Sequence, residues 1–329
     1  MKNNILIIGN GSVGKRHASN FSSLGCEISL FDLNQDRLKE VSSGVTVKAS
    51  YKDIEEALRL DKFDGAVICS PTLYHPEQAL LLIEAGVTVL LEKPLAINLT
   101  DAKSLKSSIE KFNGKLLLGY TWRWWEPLGK LKKMILENII GNVRHVQFNM
   151  SAHLADWHPY ERYQDFFMSS KKLGGGALLD ESHWIDIMIW IFGMPKSITG
   201  KVSKLSNLEI ETDDNVDLVC YYENMNITIH LDLYGRPHDK SIRFIGERGS
   251  LFWTADPNRI RLSKQSSQVW DDYNFDGQRN DMFINLAKDF MEVMNNKIEI
   301  RCSVDDGINV LKIIEAARES SILNKNIKL

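Results

Sequence analysis

Glycines at positions 9, 11 and 14 constrain this chain more than any other feature. They follow an apolar run, Ile5, Leu6, Ile7 and Ile8, and precede a stretch from Lys15 to Leu24 that stops at Gly25. Consecutive apolar residues suit a strand buried on both faces, as in a parallel sheet. Beyond the glycines the period becomes helical, with Val13, Ala18, Phe21 and Leu24 on one face. Gly9 permits a tight turn, Gly11 lets a backbone approach a pyrophosphate, and Gly14 lets the helix pack closely. Ser12 and Val13 open the helix, whose first N–H groups and partial positive charge suit a phosphate. The alternative is a tight strand-to-helix turn without a ligand. Context favours a dinucleotide: a second strand, 28–31, ends in Asp32, 23 residues after Gly9, about where a ribose-binding carboxylate is expected.

The next segments repeat this alternation. A polar helix containing Arg37 and Leu38 leads to a strand near 45–49, and Asp53 is placed to cap a helix over 54–60. A buried strand at 66–69 ends in Ser70-Pro71-Thr72, and a helix follows Tyr74-His75-Pro76 as far as Ala85. A strand at 87–91 ends in Glu92-Lys93-Pro94. Thr100 is expected to cap a helix to about Phe112, and 115–119 reads as a sixth strand. Strands alternating with helices across short loops indicate a doubly wound parallel sheet, the Rossmann type of α/β fold. Ligands of such sheets sit beyond the carboxyl ends of the strands. Gly9, Gly11, Gly14, Asp32, Ser70, Thr72, His75 and the Glu92-Lys93-Pro94 run all fall there.

After Tyr120 the pattern changes. All eight tryptophans lie beyond residue 120, so composition shifts where a boundary is expected. A helix is expected over 127–138. Val146, Phe148 and Met150 alternate with polar residues in a strand over 143–150 that has one wet face. Residues 151–173 are irregular and rich in aromatics and histidine. Gly174-Gly175-Gly176 opens a helix expected to run through Ile191. Strands follow at 197–203, 215–222, 226–233, 241–245 and 250–254, with a hairpin turn at Gly246-Glu247-Arg248-Gly249, and helices at 281–295 and 304–323 close the chain. This half reads as α+β, with a large, mostly antiparallel open sheet. The expected domains are 1–120, a Rossmann dinucleotide-binding domain, and 121–329, a substrate-binding and oligomerisation domain.

The bulk numbers fit that division. A chain of 329 residues exceeds one ordinary core. The net charge of −3 gives no general attraction to nucleic acid or anionic membrane. No apolar run approaches a bilayer span. The first strand begins at once, so no signal peptide is expected. Cys26, Cys69, Cys220 and Cys302 are widely spaced and read as buried thiols in a reducing cytoplasm.

Together these residues resemble the Gfo/Idh/MocA oxidoreductase family. The resemblance rests on the glycine turn, Asp32, Ser70-Pro71-Thr72 with His75, Glu92-Lys93-Pro94, and the run from Gly174 through Asp180 and His183 to Asp186. It is colinear over essentially the whole chain. It implies NAD(P) chemistry on sugars or polyols, an α/β substrate domain with a large open sheet, and homodimers or homotetramers. One departure stands out: many members put one more residue between the acid and the histidine. Here Asp180 and His183 lie three apart, while His183 and Asp186 keep the family's spacing. Trp157-His158-Pro159 resembles a subset acting on sugars or nucleotide sugars of surface polysaccharides.

Hydride transfer from a secondary alcohol requires a base for the hydroxyl proton and positive charge near the developing alkoxide. Lys93 suits the second task and His183, which titrates near neutrality, the first. On one helix Asp180 and Asp186 would each share a face with His183, so either can orient the imidazole. The bland alternatives are a solvated lysine and a histidine satisfied in a helix interface. Asp32 can accept both ribose hydroxyls and repels a 2′-phosphate, which favours NAD; Arg37 can still reach a phosphate, which leaves NADP open. Ser70, Pro71, Thr72 and His75 are expected to line the nicotinamide side, with Glu92 among the cofactor-binding residues. Arg123, Trp157, His158, Tyr163 and Arg236 are the candidate substrate contacts besides Lys93, Asp180 and His183, because aromatics stack on sugar faces and arginine pairs with carboxylate or phosphate. Each has packing as its alternative, and Trp122, Trp124 and Trp125 read as core or interface. His153, Asp156, His158, Asp180 and His183 lack metal-ligand spacing, so no metal is expected. The leading expectation is a cytoplasmic NAD-dependent sugar or nucleotide-sugar dehydrogenase. Its rivals are a glycosidase or lyase that oxidises its sugar transiently, and a non-catalytic dinucleotide or sugar sensor.

Overall fold

The uninterrupted apolar runs of the first half become buried parallel strands, joined through helices, while the more polar strand Val47–Tyr51 stays half-exposed at the sheet edge. The protein is described by a computed structural model over residues 2–157, 162–264 and 269–329. The elements are β1 (Asn4–Ile8), α1 (Ser12–Ser23), β2 (Glu27–Phe31), α2 (Gln35–Gly44), β3 (Val47–Tyr51), α3 (Ile54–Leu60), β4 (Gly65–Ile68), α4 (His75–Glu84), β5 (Thr88–Glu92), α5 (Leu99–Lys111) and β6 (Leu116–Gly119). The strands form a parallel six-stranded sheet in the order β3-β2-β1-β4-β5-β6. This is the doubly wound arrangement, and the strand order reverses between β1 and β4, where such sheets take their ligands. β1, β4, β5 and β6 are buried throughout.

Asp53 caps α3 as expected, accepting from the Glu56 N–H at 2.5 Å. The cap of α5 is Asn98, which accepts from the Asp101 N–H at 2.9 Å; Thr100 already lies inside the helix. The buried face of α1 is Gly14, His17, Ala18 and Phe21, whereas Val13, expected on that face, is exposed.

The second half contains α6 (Glu126–Leu136), β7 (Val143–Ser151), α7 (Ala177–Asp180), α8 (His183–Phe192), β8 (Ser197–Ser203), β9 (Asn215–Tyr221), β10 (Asn226–Asp232), β11 (Asp239–Gly246), β12 (Gly249–Ala255), β13 (Asn258–Lys264), β14 (Asp271–Asn274), α9 (Arg279–Met294), α10 (Val304–Leu323) and β15 (Ile327–Lys328). Its nine-stranded sheet runs β14-β13-β12-β11-β7-β10-β9-β8-β15. All pairings are antiparallel except β7 with β10. One face is apolar: Val146, Phe148, Met150, Ile229, Phe244 and Trp253 are all buried, and Trp184 of α8 packs against Phe148 and Trp253. The hairpin at Gly246–Gly249 forms as expected. The strands β13, β14 and β15 were not expected. β13 carries only Ile260 and Leu262 as apolar residues, and β14 is exposed along its length, so neither shows an apolar run. α10 closes the edge of β8, where Ser320 and Ser321 accept from the Gly200 and Val202 N–H groups at 2.9 and 3.0 Å.

The chain divides into two compact units, Met1–Thr121 with Arg279–Ile308, and Trp122–Gln278 with Asn309–Leu329. In the first, α9 packs on α1, with the rings of Phe21 and Phe290 5.9 Å apart. All four cysteines are free thiols. Among the described residues no helix is long and apolar enough to cross a membrane.

On the other face of the large sheet, Lys201, Asp217, His230 and Asn149 stand in register on neighbouring strands. His230 Nδ1 is 2.7 Å from Asp217 Oδ1 and its Nε2 is 3.1 Å from Asp232 Oδ2. The bond to Asp232, then that to Asp217, raise its pKa from 6.5 to about 9 against the opposing effect of partial burial. A folded-state pKa above the unfolded value stabilises at low pH. The contribution is complete below about pH 6.5 and is lost as the pH climbs through about 9. The urea midpoint of the protein should therefore exceed that of His230→Gln most near pH 6, with the gap shrinking towards about pH 10. A gap that widens with pH would contradict this placement of the imidazolium.

Candidate functional site

The β1–α1 turn is built by the absence of side chains. Gly9 takes φ +82°, and a Cβ there would stand 2.7 Å from the Ser70 nitrogen. A Cβ on Gly14 would stand 1.9 Å from the Gly9 carbonyl oxygen. Gly11, by contrast, has nothing within 4 Å of an added Cβ, so the backbone there is open to a ligand. Gly11 is also the N-cap of α1 and brings no side-chain acceptor to the first-turn N–H groups, and no acid lies in that turn. An anion is a fitting partner for those donors. Asp32 is buried at the end of β2. Its Oδ2 accepts from the Asn10 N–H at 2.6 Å and its Oδ1 from the Asn34 N–H at 2.8 Å. Each oxygen keeps a second lone pair, so the fixed carboxylate can still accept from a diol. Arg37 is exposed in the first turn of α2.

Ser70, Pro71 and Lys93 lie at the neighbouring ends of β4 and β5. The Ser70 hydroxyl donates to Gln78 at 2.6 Å, and Lys93, half-buried, precedes a buried Pro94 through a cis bond. The expected lining role does not suit Thr72 or His75, which are only 2 and 1 % exposed. His75 turns inward and braces the two loops: Nδ1 is 2.8 Å from the Pro94 carbonyl and Nε2 2.9 Å from that of Ser70. Burial pushes its pKa below the ordinary histidine value, so the neutral ring donates to one carbonyl only. Glu92 is likewise not directed at a cofactor. Its Oε1 lies 2.8 Å from Nε2 of His17, a residue sequence reasoning passed over although it sits one helical turn after Gly14.

In the second unit the three glycines shape the entry to α7. Gly174 and Gly176 take φ +84° and +110°, and a Cβ on Gly175 would stand 2.2 Å from the Met168 carbonyl oxygen. Asp213, also passed over in the sequence, holds the start of α7: its carbonyl accepts from Ala177 at 2.9 Å and its carboxylate from the Leu178 N–H at 2.8 Å. Burial raises the Asp213 carboxyl above its usual range.

The expected continuous helix to Ile191 is interrupted. α7 ends at Asp180 and α8 begins at His183, so these two residues do not share one helix face. The break is a turn at Glu181 and Ser182, in which Glu181 accepts from Trp184 twice: its carbonyl takes the backbone N–H at 3.1 Å and its carboxylate the indole N–H at 3.1 Å. Asp180 is buried, and the half-buried His183 ring meets Trp122 edge-on at 6.4 Å.

Asp186 has both carboxylate oxygens on Arg123, with Nη2 to Oδ1 at 2.7 Å and Nε to Oδ2 at 3.0 Å. The two side chains are 3 and 1 % exposed. The structure therefore corrects two expectations: Arg123 is a buried structural partner rather than an open substrate contact, and Asp186 is engaged by it. Tyr163 ties its loop to a neighbouring one, with its hydroxyl accepting from the Glu209 N–H at 3.3 Å. Arg236 is exposed and forms a two-point pair with Asp156 at 2.7 and 2.8 Å. Trp157 is half-buried, and His158 lies outside the described residues. Trp122, Trp124 and Trp125 are buried, as a core role requires. Lys240, which the sequence did not single out, places its ammonium 5.7 Å from the Trp122 ring that also meets His183. Among the described residues no group of three or more His, Cys, Asp or Glu side chains is arranged to hold a metal ion.

Comparison with known proteins gives a consistent picture. Residues 3–120 match the family model described as oxidoreductase family, NAD-binding Rossmann fold, and residues 128–252 match the Gfo/Idh/MocA C-terminal domain. The myo-inositol 2-dehydrogenase of Thermotoga maritima is 25% identical over 339 residues, covering 98% of this chain and 97% of that protein. The glucose-6-phosphate 3-dehydrogenase of Bacillus subtilis is 25% identical over 236 residues; the match takes in 71% of this chain and only 64% of that enzyme. Among solved structures, levoglucosan dehydrogenase in complex with NADH and levoglucosan superposes with a TM-score of 0.88 at 19% identity, covering 100% of this chain and 99% of that one. The WlbA dehydrogenase of Bordetella pertussis in complex with NADH and UDP-GlcNAcA gives 0.83 at 20% identity, covering 100% and 99%. Identities this low establish a shared fold.

The buried pair makes a stability prediction. Arg123→Leu leaves the Asp186 carboxylate without its arginine and should cost about 3–5 kcal/mol of unfolding free energy, read by urea denaturation through tryptophan fluorescence. The double variant Arg123→Met/Asp186→Leu should recover most of that loss. A single-variant loss below about 1 kcal/mol would mean that the pair is dispensable.

Proposed function

The chain belongs to the Gfo/Idh/MocA family of oxidoreductases, and on that premise we propose that it is an NAD-dependent dehydrogenase or reductase. It moves a hydride between nicotinamide and a secondary hydroxyl or keto carbon of a sugar, polyol or nucleotide sugar. The observation that carries this reading is the strand-end geometry of the first unit. An open glycine turn, a carboxylate fixed by two backbone N–H groups and a half-buried lysine stand on the carboxyl ends of one sheet. The names of the relatives, which are dehydrogenases of inositol, glucose 6-phosphate and other sugars, support the substrate class.

The residues present fit NAD. Gly9, Gly11, Ser12, Val13 and Gly14 hold the pyrophosphate against the first turn of α1. Asp32 accepts the ribose hydroxyls and repels a 2′-phosphate, and Ser70 and Pro71 border the nicotinamide side. The cofactor, when bound, supplies the hydride acceptor. His183 takes the proton from the substrate hydroxyl, and the Lys93 ammonium stabilises the oxygen as it becomes an alkoxide. Asp180 or Asp186 orients the imidazole, since the pair with Arg123 leaves each Asp186 oxygen a second lone pair. Trp157, Tyr163 and Arg236 belong to the sugar-binding surface. The first unit is the dinucleotide-binding domain, and the second binds substrate and carries the self-association surface of a cytoplasmic homodimer or homotetramer.

Lys93→Met should lower turnover by about 10²-fold or more while NADH still binds, tested on a panel of myo-inositol, glucose 6-phosphate and UDP-sugars. NADH should form in proportion to oxidised sugar. Turnover that survives the substitution rejects the assignment of Lys93, and sugar consumed without net NADH points to transient oxidation.

A further inference from the structure

Two arginines of the first unit stand on helices that meet. Arg16 lies in the second turn of α1, and Arg279 opens α9. The start of α9 is clasped to α1 by two side-chain amides. Asn20 Nδ2 donates to Asn280 Oδ1 at 3.2 Å, and Asn280 Nδ2 donates back to Asn20 Oδ1 at 2.9 Å. The Arg16 guanidinium lies over the Phe283 ring, 4.6 Å from its centre. Phe283 follows Arg279 by one helical turn, so the two share a face of α9. The aromatic ring therefore carries one cation and has the other as its neighbour along the helix.

Among the described residues neither guanidinium has an ion-pair or hydrogen-bond partner. Arg16 is half-buried and Arg279 exposed. Lys15, the chain neighbour of Arg16, is by contrast paired with Glu40. Burial, and then the charge of Arg279, lower the Arg16 pKa below the ordinary guanidinium value, while Glu92 acts the other way. The Glu92 carboxylate is itself engaged, with Oε1 2.8 Å from Nε2 of the buried His17. Two like charges brought together without a counter-ion repel, the more so where one is partly desolvated. An anion between them turns that repulsion into attraction. Guanidinium forks match the oxygens of a phosphate group in both geometry and charge.

We propose that Arg16 and Arg279 form an anion subsite of the first unit, distinct from the glycine turn, that takes a phosphate group, free or carried on a small molecule. The Phe283 ring is the floor on which Arg16 is held. The Asn20–Asn280 clasp keeps the start of α9, and with it Arg279, against α1. The subsite uses none of the residues assigned to hydride transfer, so it stands or falls apart from that chemistry.

Titration of the full-length protein with inorganic phosphate tests this, read by the melting temperature at an ionic strength held constant with chloride. One series contains saturating NADH, which keeps the glycine turn occupied. A second series omits it, so that a failure of cofactor binding shows by itself. With NADH bound, phosphate should still raise the melting temperature of the wild type. Arg16→Gln and Arg279→Gln should each weaken the apparent phosphate affinity about tenfold, as the loss of one charge-assisted contact does. Lys39→Gln, which removes a cation 78% exposed on α2, should leave that affinity unchanged. Glucose 6-phosphate, compared with glucose, separates the two sources. A rise with the sugar phosphate that depends on the arginines assigns a phosphate carried on a small molecule. A rise with inorganic phosphate alone assigns the free anion, and either result supports the subsite. Circular dichroism checks folding, and Arg279→Gln, at an exposed position, decides if Arg16→Gln does not fold. Three results would overturn the subsite: no response to either phosphate, equal affinities in the wild type and the arginine variants, or a phosphate effect that vanishes once NADH is bound.

Discussion

The close approach of α1 to the turn that precedes it is the contact on which the first unit depends. A single Cβ at position 14 would stand 1.9 Å from the Gly9 carbonyl, well inside any tolerable contact. Because that space is kept empty, α1 starts directly at the end of β1 with its first N–H groups uncapped by a side chain. The same placement carries His17 down to Glu92 and brings the Asn10 N–H onto Asp32. A missing side chain thus positions an uncapped helix end, the Asp32 carboxylate and the strand end that bears Lys93.

Elsewhere the site is supported by buried polar groups that are matched rather than merely enclosed. Arg123 and Asp186 answer each other at two points, and Asp213 takes two backbone N–H groups at the start of α7. Removing one member of such a pair exposes the other to the full desolvation cost, so these contacts fix loop geometry firmly. That suits a chemistry in which misplacing a proton acceptor by an ångström is costly.

The sequence told most where the physics is local. The glycine turn, the alternation in β7, the Asp53 cap and the uninterrupted apolar strands follow from backbone sterics and period, and all appear in the structure. What it concealed depends on partners distant in the chain. Asp186 carries the family's spacing to His183, yet its carboxylate goes to Arg123, 63 residues away. Glu92 belongs to a recognisable motif, but its partner is 75 residues earlier. The helix break at Glu181 leaves no trace of glycine or proline, since it is held by the Glu181 side chain on the Trp184 indole. β14 is solvated on both faces and has no apolar period to read.

The central claim is that one ammonium and one imidazole serve the same carbinol oxygen beside a nicotinamide. A crystal structure of the protein with NAD and an oxidisable sugar tests it most directly. The account predicts nicotinamide C4 within about 3–3.5 Å of one substrate carbon, with Lys93 Nζ and a His183 ring nitrogen both in hydrogen-bond reach of the oxygen on that carbon. A sugar bound with either group turned away from that oxygen would contradict it.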